Sequence, residues 1–153
     1  MSKNQIEDSL IRNRAPNNIS NYILRFAAIL SSLISIYMLF GVGNFLNTYV
    51  LLDTEYLYAM IALLLPLPFI IYHPTPRRGN KIPWYDIIFA ASTFIIASYF
   101  CYSGSLILED GWEYLAPTHA KIMAFILWVL VLEASRRAGG NAIFIICLII
   151  SIY

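Results

Sequence analysis

Charged residues are scarce in this chain: Asp, Glu, Lys and Arg make up 12% of its 153 residues, whereas an ordinary soluble domain has about a quarter. Hydrophobic residues make up 59%, so a soluble protein of this composition would lack the polar side chains needed to cover its surface. The formal net charge is only +1, which gives no indication of a nucleic-acid partner. The scarcity of charge therefore excludes a soluble domain and predicts an integral membrane protein.

Groups that carry out chemistry are also few. The two cysteines, Cys101 and Cys147, lie in apolar runs without CxxC spacing, and we interpret them as small packing residues. The motifs of zinc peptidases, phosphate-binding loops, dinucleotide folds and serine hydrolases are missing from the sequence. His73 and His119 are predicted on opposite faces of the membrane, and we interpret His73 as an interfacial polar residue. We expect a protein that is not an enzyme and that has no cofactor or metal site.

Long apolar segments make up most of the sequence. Phe26 to Leu52 contains no charged residue and exceeds the ~20 residues that a helix needs to cross a membrane. We predict an all-α integral membrane bundle, with residues 1–21 as a polar cytoplasmic tail and residues 22–153 as the membrane domain. Without a cleavage site, the first helix is expected to act as an uncleaved anchor. The predicted helices are four spans and a short or truncated fifth apolar segment: about 23–45, 56–72, 84–106, 118–138 and 141–153.

The placement of basic residues predicts the orientation of these helices. One side of the predicted membrane holds a single basic residue, Lys121. The other side holds Lys3, Arg12, Arg14, Arg25, Arg77, Arg78, Lys81, Arg136 and Arg137. The positive-inside rule makes the basic side cytoplasmic and places the amino terminus there. No carboxylate is expected at mid-bilayer and no inverted repeat is visible, so the chain lacks the marks of a proton pump or an autonomous secondary transporter. We expect a subunit that packs against something larger.

The third predicted span begins with recognisable signals. Pro83 suits a first helical turn, and Asp86 complements the helix dipole there. Trp84 and Tyr85 are expected to anchor the helix at the level of the lipid headgroups. Further along, a stripe of small residues at i, i+4 and i+8 predicts close helix packing: Thr93, Ala97 and Cys101. In the second span, Pro66 and Pro68 each remove a backbone donor and favour a bend.

The second predicted outer loop, residues 104–121, combines acidic and aromatic residues. Its candidate docking residues are Glu109, Asp110, Trp112 and Glu113. Such a loop suits docking to a protein partner; the alternative is a solvated loop with an aromatic interface anchor.

Residues 128–140, WVLVLEASRRAGG, form the most charged interruption of an apolar run. Glu133 and Arg137 are four residues apart, in the favourable order for an ion pair on one helix face. Arg136 and Arg137 are expected to reach the headgroups and to serve anchoring and assembly together with Glu133. Gly139 and Gly140 are expected to end the helix or let it turn.

These segments carry a family resemblance. IPWYD at residues 82–86, the acidic loop, and LWVLVLEASRRAGG at residues 127–140 followed by an apolar helix resemble the TRAP transporter permeases. The similarity covers residues 57–153 and is closest to the small-permease region that begins the fused permeases of the TAXI branch. Its most specific part is Leu132-Glu133-x-x-Arg136-Arg137.

The resemblance implies a role in the bacterial inner membrane. TRAP transporters are secondary systems in which a periplasmic binding protein delivers an organic anion to a large permease subunit that holds the substrate and sodium sites. The small subunit braces the large one and helps to receive the binding protein. The implied partners are therefore a large permease, a binding protein and membrane lipid, with sodium bound only by the large subunit.

Two alternatives remain open at this stage. The chain is either a separate small subunit with a short last helix or a fragment of a fused permease. Composition is equally compatible with a small structural or regulatory membrane protein of another complex, without a role in transport.

Overall fold

The computed structural model describes residues 18–46, 49–72 and 83–152. Residues 1–17 of the predicted tail 1–21 lie outside these ranges, as does the basic loop 73–82 with His73, Arg77, Arg78 and Lys81. The last four residues of the predicted tail, 18–21, belong to the first helix instead. Within them, all regular elements are helices, and four are long and apolar enough to cross a membrane: Asn21–Leu39, Asp53–Ile71, Trp84–Tyr102 and Thr118–Ile152. The predicted all-α membrane bundle with four spans is confirmed.

The eight helices of the described residues follow one another with short connections. They are α1 (Asn18–Leu39), α2 (Val42–Phe45), α3 (Asp53–Leu64), α4 (Leu67–Ile71), α5 (Trp84–Tyr102), α6 (Gly104–Glu109), α7 (Trp112–Leu115) and α8 (Thr118–Ile152). Two predicted spans were drawn too long at their C-terminal ends, because 23–45 includes the short helix α2 and 84–106 runs into the start of α6. The first ends at Leu39, before Gly41 with its positive φ of 56°, and the third ends at Tyr102.

The second span is divided into α3 and α4 around Pro66. Asp53 and Glu55 lie in the first turn of α3, where their negative charge complements the helix dipole. This start is three residues before the predicted one, because the acidic residues belong to the helix and not to the preceding loop. Pro66 has no N–H for the helical ladder, and α4 begins directly after it. The helical hydrogen-bond ladder is thus interrupted at the predicted prolines, while Leu65 and Pro66 keep right-handed helical backbone angles; the bend itself stays a prediction.

The long helices pack side by side around a core of aromatic and small residues. α5 lies in the middle of the bundle, against α3, α4 and α8, while α1 packs on α3. Thr93 and Ala97 are completely buried, and the Cys101 thiol donates a hydrogen bond to the Glu55 carbonyl oxygen over 3.3 Å. The predicted small-residue stripe is therefore buried in the bundle, and its Cys101 end contacts α3. Tyr58 and Phe100 extend this contact with stacked rings 5.1 Å apart.

α8 is broken at Gly140, where the backbone has φ 81° and ψ −175°. A residue with a side chain rarely adopts this conformation, so the glycine permits the break. Beyond it, residues 141–152 turn back along α8, because the indole N–H of Trp128 donates a hydrogen bond to the Ser151 hydroxyl, 23 residues further on. In a straight helix these residues would be ~35 Å apart. The predicted turn at the glycine pair is present, and the fifth apolar segment is a helix that forms a hairpin with the fourth.

Candidate functional site

A cluster of four charged side chains lies at the end of the bundle where α5 begins and where α8 turns. We call it the charge cluster; its members are Asp86, Glu133, Arg136 and Arg137. Asp86 lies in the first turn of α5 and the other three in the part of α8 before Gly140. The cluster therefore joins two helices that are distant in sequence.

Arg137 is the centre of the cluster. Its Nη1 donates a hydrogen bond to Asp86 Oδ1 over 2.7 Å, and its Nε donates another to Glu133 Oε1 over 2.8 Å. The Arg137 side chain is 2% exposed and that of Asp86 is 0% exposed. The ion pair that the spacing of Glu133 and Arg137 predicts is present. The expectation that Arg137 reaches the headgroups was wrong, because the buried Asp86 carboxylate gives its guanidinium a closer partner inside the protein.

Arg136 takes a different position. Its Nε and Nη2 bind the two Glu133 carboxylate oxygens, each over 2.7 Å, as a parallel pair of hydrogen bonds. Its side chain is 35% exposed and that of Glu133 is 25% exposed, so this half of the cluster lies at the surface of the bundle. Such bidentate pairing is the strongest arrangement of arginine with a carboxylate. Arg136 thus holds Glu133 in place for Arg137.

Aromatic rings enclose the buried half of the cluster. The Arg137 guanidinium lies 5.0 Å from the ring centroid of Phe69 and 5.8 Å from that of Phe89. A desolvated guanidinium is stabilised by the negative faces of such rings. Phe69 belongs to α4, so the charge cluster connects α4 and α5 with α8. With two acidic and two basic side chains its formal charge is zero, which reduces the cost of placing it next to hydrocarbon.

The predicted headgroup anchors lie next to the cluster. Trp84 is exposed, and its ring meets that of Tyr85 edge-on at 6.3 Å; Tyr85 in turn meets Phe89 at 6.4 Å. A row of rings thus runs from the bundle surface to the buried arginine. The position of Trp84 suits an interfacial anchor, and that role stays a prediction.

The predicted docking residues lie at the end of the bundle opposite the charge cluster, and they do not share one environment. Glu109 and Asp110 are exposed. Trp112 instead packs against the hydrophobic core and meets His119 edge-on at 6.4 Å. Glu113 lies in α7, and its side chain is outside the described part of the structure. Glu109 and Asp110 are therefore accessible to a partner, whereas the tryptophan packs on the inner side of the loop.

The sequence patterns did not identify Asp86 as the partner of Arg137. A signal was available: the predicted topology places both residues at the same end of the membrane, with opposite charges at the tips of two spans. Phe69 and Phe89 gave no signal, because aromatic residues are frequent throughout the chain. Within the described ranges, no three His, Cys, Asp or Glu side chains come together in a group that could hold a metal ion. No protein-family model, curated protein or solved structure matches the chain.

Proposed function

We propose that this chain is the small, non-catalytic membrane subunit of a TRAP-type transporter in a bacterial inner membrane, where it braces the large permease and helps to dock the binding protein. The observation that carries the proposal is the pairing of Asp86 with Arg137. These residues belong to the two segments that carry the family resemblance, the Pro-Trp-Tyr-Asp helix start and the Leu-Glu-x-x-Arg-Arg stretch, and they bind each other over 2.7 Å. A shared structural role explains why both motifs occur in one chain.

The distribution of polar groups supports a bracing role. In the described residues, the charged side chains lie near the ends of the long helices, and the surfaces between the ends are apolar. Large exposed side chains run along α1 and along residues 141–152, among them Phe26, Ile29, Ile149 and Ile150. Such surfaces suit contact with lipid or with the helices of a larger membrane subunit. The charge cluster gives the brace a fixed geometry, because buried polar groups fix the relative position of helices.

Co-purification with a large permease tests the proposal. The tagged chain, expressed with the large permease encoded beside it, should retain that protein through purification in a mild detergent. Replacing both cluster arginines, Arg136→Gln with Arg137→Gln, should reduce the amount retained, whereas Arg25→Gln should not. Absence of any large permease from the wild-type preparation would instead favour a structural or regulatory subunit of another complex.

The proposed docking role has its own test. Replacing Glu109, Asp110, Trp112 and Glu113 together by alanine should weaken association with the binding protein and lower organic-acid uptake, while the large permease still co-purifies. Unchanged docking and uptake would remove this part of the proposal.

A reporter fused after Gly111 should be active only outside the cytoplasm, because the positive-inside rule places this loop there; cytoplasmic activity would contradict the orientation.

A further inference from the structure

A cavity of about 680 Å³ opens at the end of the bundle opposite the charge cluster. We call it the Glu55 cavity; it is lined by Tyr49, Leu51, Glu55, Cys101, Tyr102, Ser105 and Leu106. Its volume is in the range of small-molecule sites, and its walls are mainly apolar and aromatic with one charged group, as is typical of such sites.

The charged group is the carboxylate of Glu55, a residue that is only 5% exposed. Oε1 accepts a hydrogen bond from the Tyr49 hydroxyl over 2.6 Å, and Oε2 accepts one from the Leu52 N–H over 3.1 Å. Neither partner carries a positive charge. Among the residues that the structure describes, no Lys, Arg or His forms an ion pair with Glu55. The first turn of α3 compensates part of the negative charge, and the carboxylate, with two hydrogen bonds, keeps acceptor capacity for a cation.

The backbone around Glu55 is closely packed and fixes the carboxylate. Gly104 lies so close that a Cβ atom at this position would overlap the Glu55 side chain and come within 3.2 Å of its backbone nitrogen. The Cys101 thiol donates to the Glu55 carbonyl oxygen from the next helix. The wall of the cavity is therefore built before any ligand arrives, which lowers the entropic cost of binding.

The chemistry of this end of the bundle selects the kind of cation. The described charged residues here are mostly acidic: Asp53, Glu55, Glu109 and Asp110 against Lys121. Anions are therefore repelled. A hard metal ion prefers several carboxylate and carbonyl oxygen ligands, whereas the side chains of the cavity lining offer a single carboxylate, with neutral hydroxyls of tyrosine and serine among leucine and cysteine. An organic cation satisfies both parts of the lining, with its charge on Glu55 and its apolar part on Leu51 and Leu106.

We propose that the Glu55 cavity binds a primary ammonium group attached to an apolar body. The ammonium group has three hydrogen-bond donors, enough to bind the carboxylate without displacing Tyr49 or Leu52. The ligand is either a free organic amine or the headgroup of an aminophospholipid, and the two sources share this chemistry.

Calorimetric titration of the full chain in phosphatidylcholine nanodiscs with phenethylammonium tests the proposal. We expect saturable binding in the micromolar to millimolar range, and no saturable binding of the uncharged analogue 2-phenylethanol. Glu55→Gln keeps the size of the side chain but removes its charge, so it should weaken binding by roughly thirtyfold or more. Asp53→Asn removes a charge from an exposed position in the same helical turn and should leave affinity unchanged within about twofold.

A second variant separates loss of the site from loss of the fold. Ser105→Trp fills the cavity without changing Glu55 and should also abolish binding while far-ultraviolet circular dichroism stays that of the wild type. Equal binding of the alcohol and the ammonium ion, or equal binding by the wild type and Glu55→Gln, would overturn the proposal. In nanodiscs containing phosphatidylethanolamine, a lower apparent affinity identifies the headgroup as a competing ligand, and an unchanged affinity identifies the free amine as the ligand.

Discussion

The Nη1 atom of Arg137 donates a hydrogen bond to Asp86 Oδ1 over 2.7 Å, although the two residues are 51 positions apart in the chain. The contact joins the first turn of α5 to the last turns of α8 before Gly140. Both side chains are buried, and Arg137 also binds Glu133 of its own helix, so the arginine links Asp86 to the rest of the charge cluster.

Removing one partner of this pair should be far more harmful than removing both. Asp86→Asn or Arg137→Met alone breaks the buried ion pair, and Arg137→Met also removes the bond to Glu133. We expect a loss of about 3–5 kcal/mol in the free energy of unfolding. Asp86→Leu combined with Arg137→Met leaves no unpaired charge at this position and should recover most of that loss. Thermal unfolding in mild detergent measures the effect.

Arg25→Gln is the matched control for this prediction, because Arg25 is exposed on α1, and its replacement should change stability by less than about 0.5 kcal/mol. If the double variant were destabilised by the sum of the two single losses, the pair would not be coupled as the geometry indicates.

Much of the fold was predictable because two simple signals decide it. Charge-free runs of span length identify the membrane helices, and a proline and two glycines mark where helices are interrupted or end. Thr118 was expected to begin the fourth span, and α8 begins there. The ends of helices were harder to predict. The short helices Val42–Phe45 and Gly104–Glu109 follow α1 and α5 after only one or two non-helical residues, so hydrophobicity alone does not separate them from α1 and α5.

The charge cluster was only half predictable. Glu133 and Arg137 lie on one helix, where spacing alone determines contact. The Asp86 contact depends on how α5 and α8 are placed side by side, which periodicity does not report. Glu55 was missed for a related reason. In the sequence it belongs to a polar loop, whereas α3 and Gly104 together bury it.

Gly104 should be intolerant of a side chain. A Cβ atom at this position would overlap the Glu55 side chain, so Gly104→Ala forces α6 away from α3. Overpacking of this kind costs about 1–3 kcal/mol, and we expect a matching loss of thermal stability. Gly104→Ala should also disturb the Glu55 cavity.

The neighbouring Ser105, which is only half-buried, provides the control for Gly104→Ala. Ser105→Ala, measured by the same unfolding experiment, should have little effect. Wild-type stability of Gly104→Ala would show that α6 does not approach α3 as closely as the structure has it.

Tyr49 should titrate at unusually high pH. Its hydrogen bond to Glu55 is the main reason that the pKa of the phenol lies above its ordinary value of 10, and slight desolvation and the nearby carboxylate charge raise it further. The neutral phenol is favoured in the folded state. Its contribution to stability is therefore fully present below pH 10 and is lost as the pH rises through the elevated pKa. Nuclear magnetic resonance of ring-labelled tyrosine, assigned with Tyr49→Phe, measures this pKa.

Glu55→Gln is the decisive comparison for the tyrosine. The amide removes the negative charge next to the phenol, so the pKa of Tyr49 should fall toward 10, while Asp53→Asn should leave it nearly unchanged. The pKa of Tyr49 should fall in the same way when an ammonium ion occupies the cavity, because a positive charge next to the phenol favours the phenolate. An identical Tyr49 titration in the wild type and in Glu55→Gln would contradict the hydrogen bond.

The hairpin at the end of the chain should depend on Gly140. Its φ of 81° with ψ of −175° lies in a region that only glycine adopts readily, so Gly140→Ala should cost about 1–3 kcal/mol. The strain is relieved if residues 141–152 continue α8 as a straight helix.

Spin labels at Ile126 and Ile149, in a chain with Cys101 and Cys147 replaced by alanine, report the difference. The wild type should give a short distance, because Trp128 binds Ser151 across the hairpin, and the variant should add a population at ~35 Å. Ala138→Gly, on an exposed helical position, should keep the short distance. A single short distance in Gly140→Ala would mean that contacts between the two helices, and not the glycine, hold the hairpin closed.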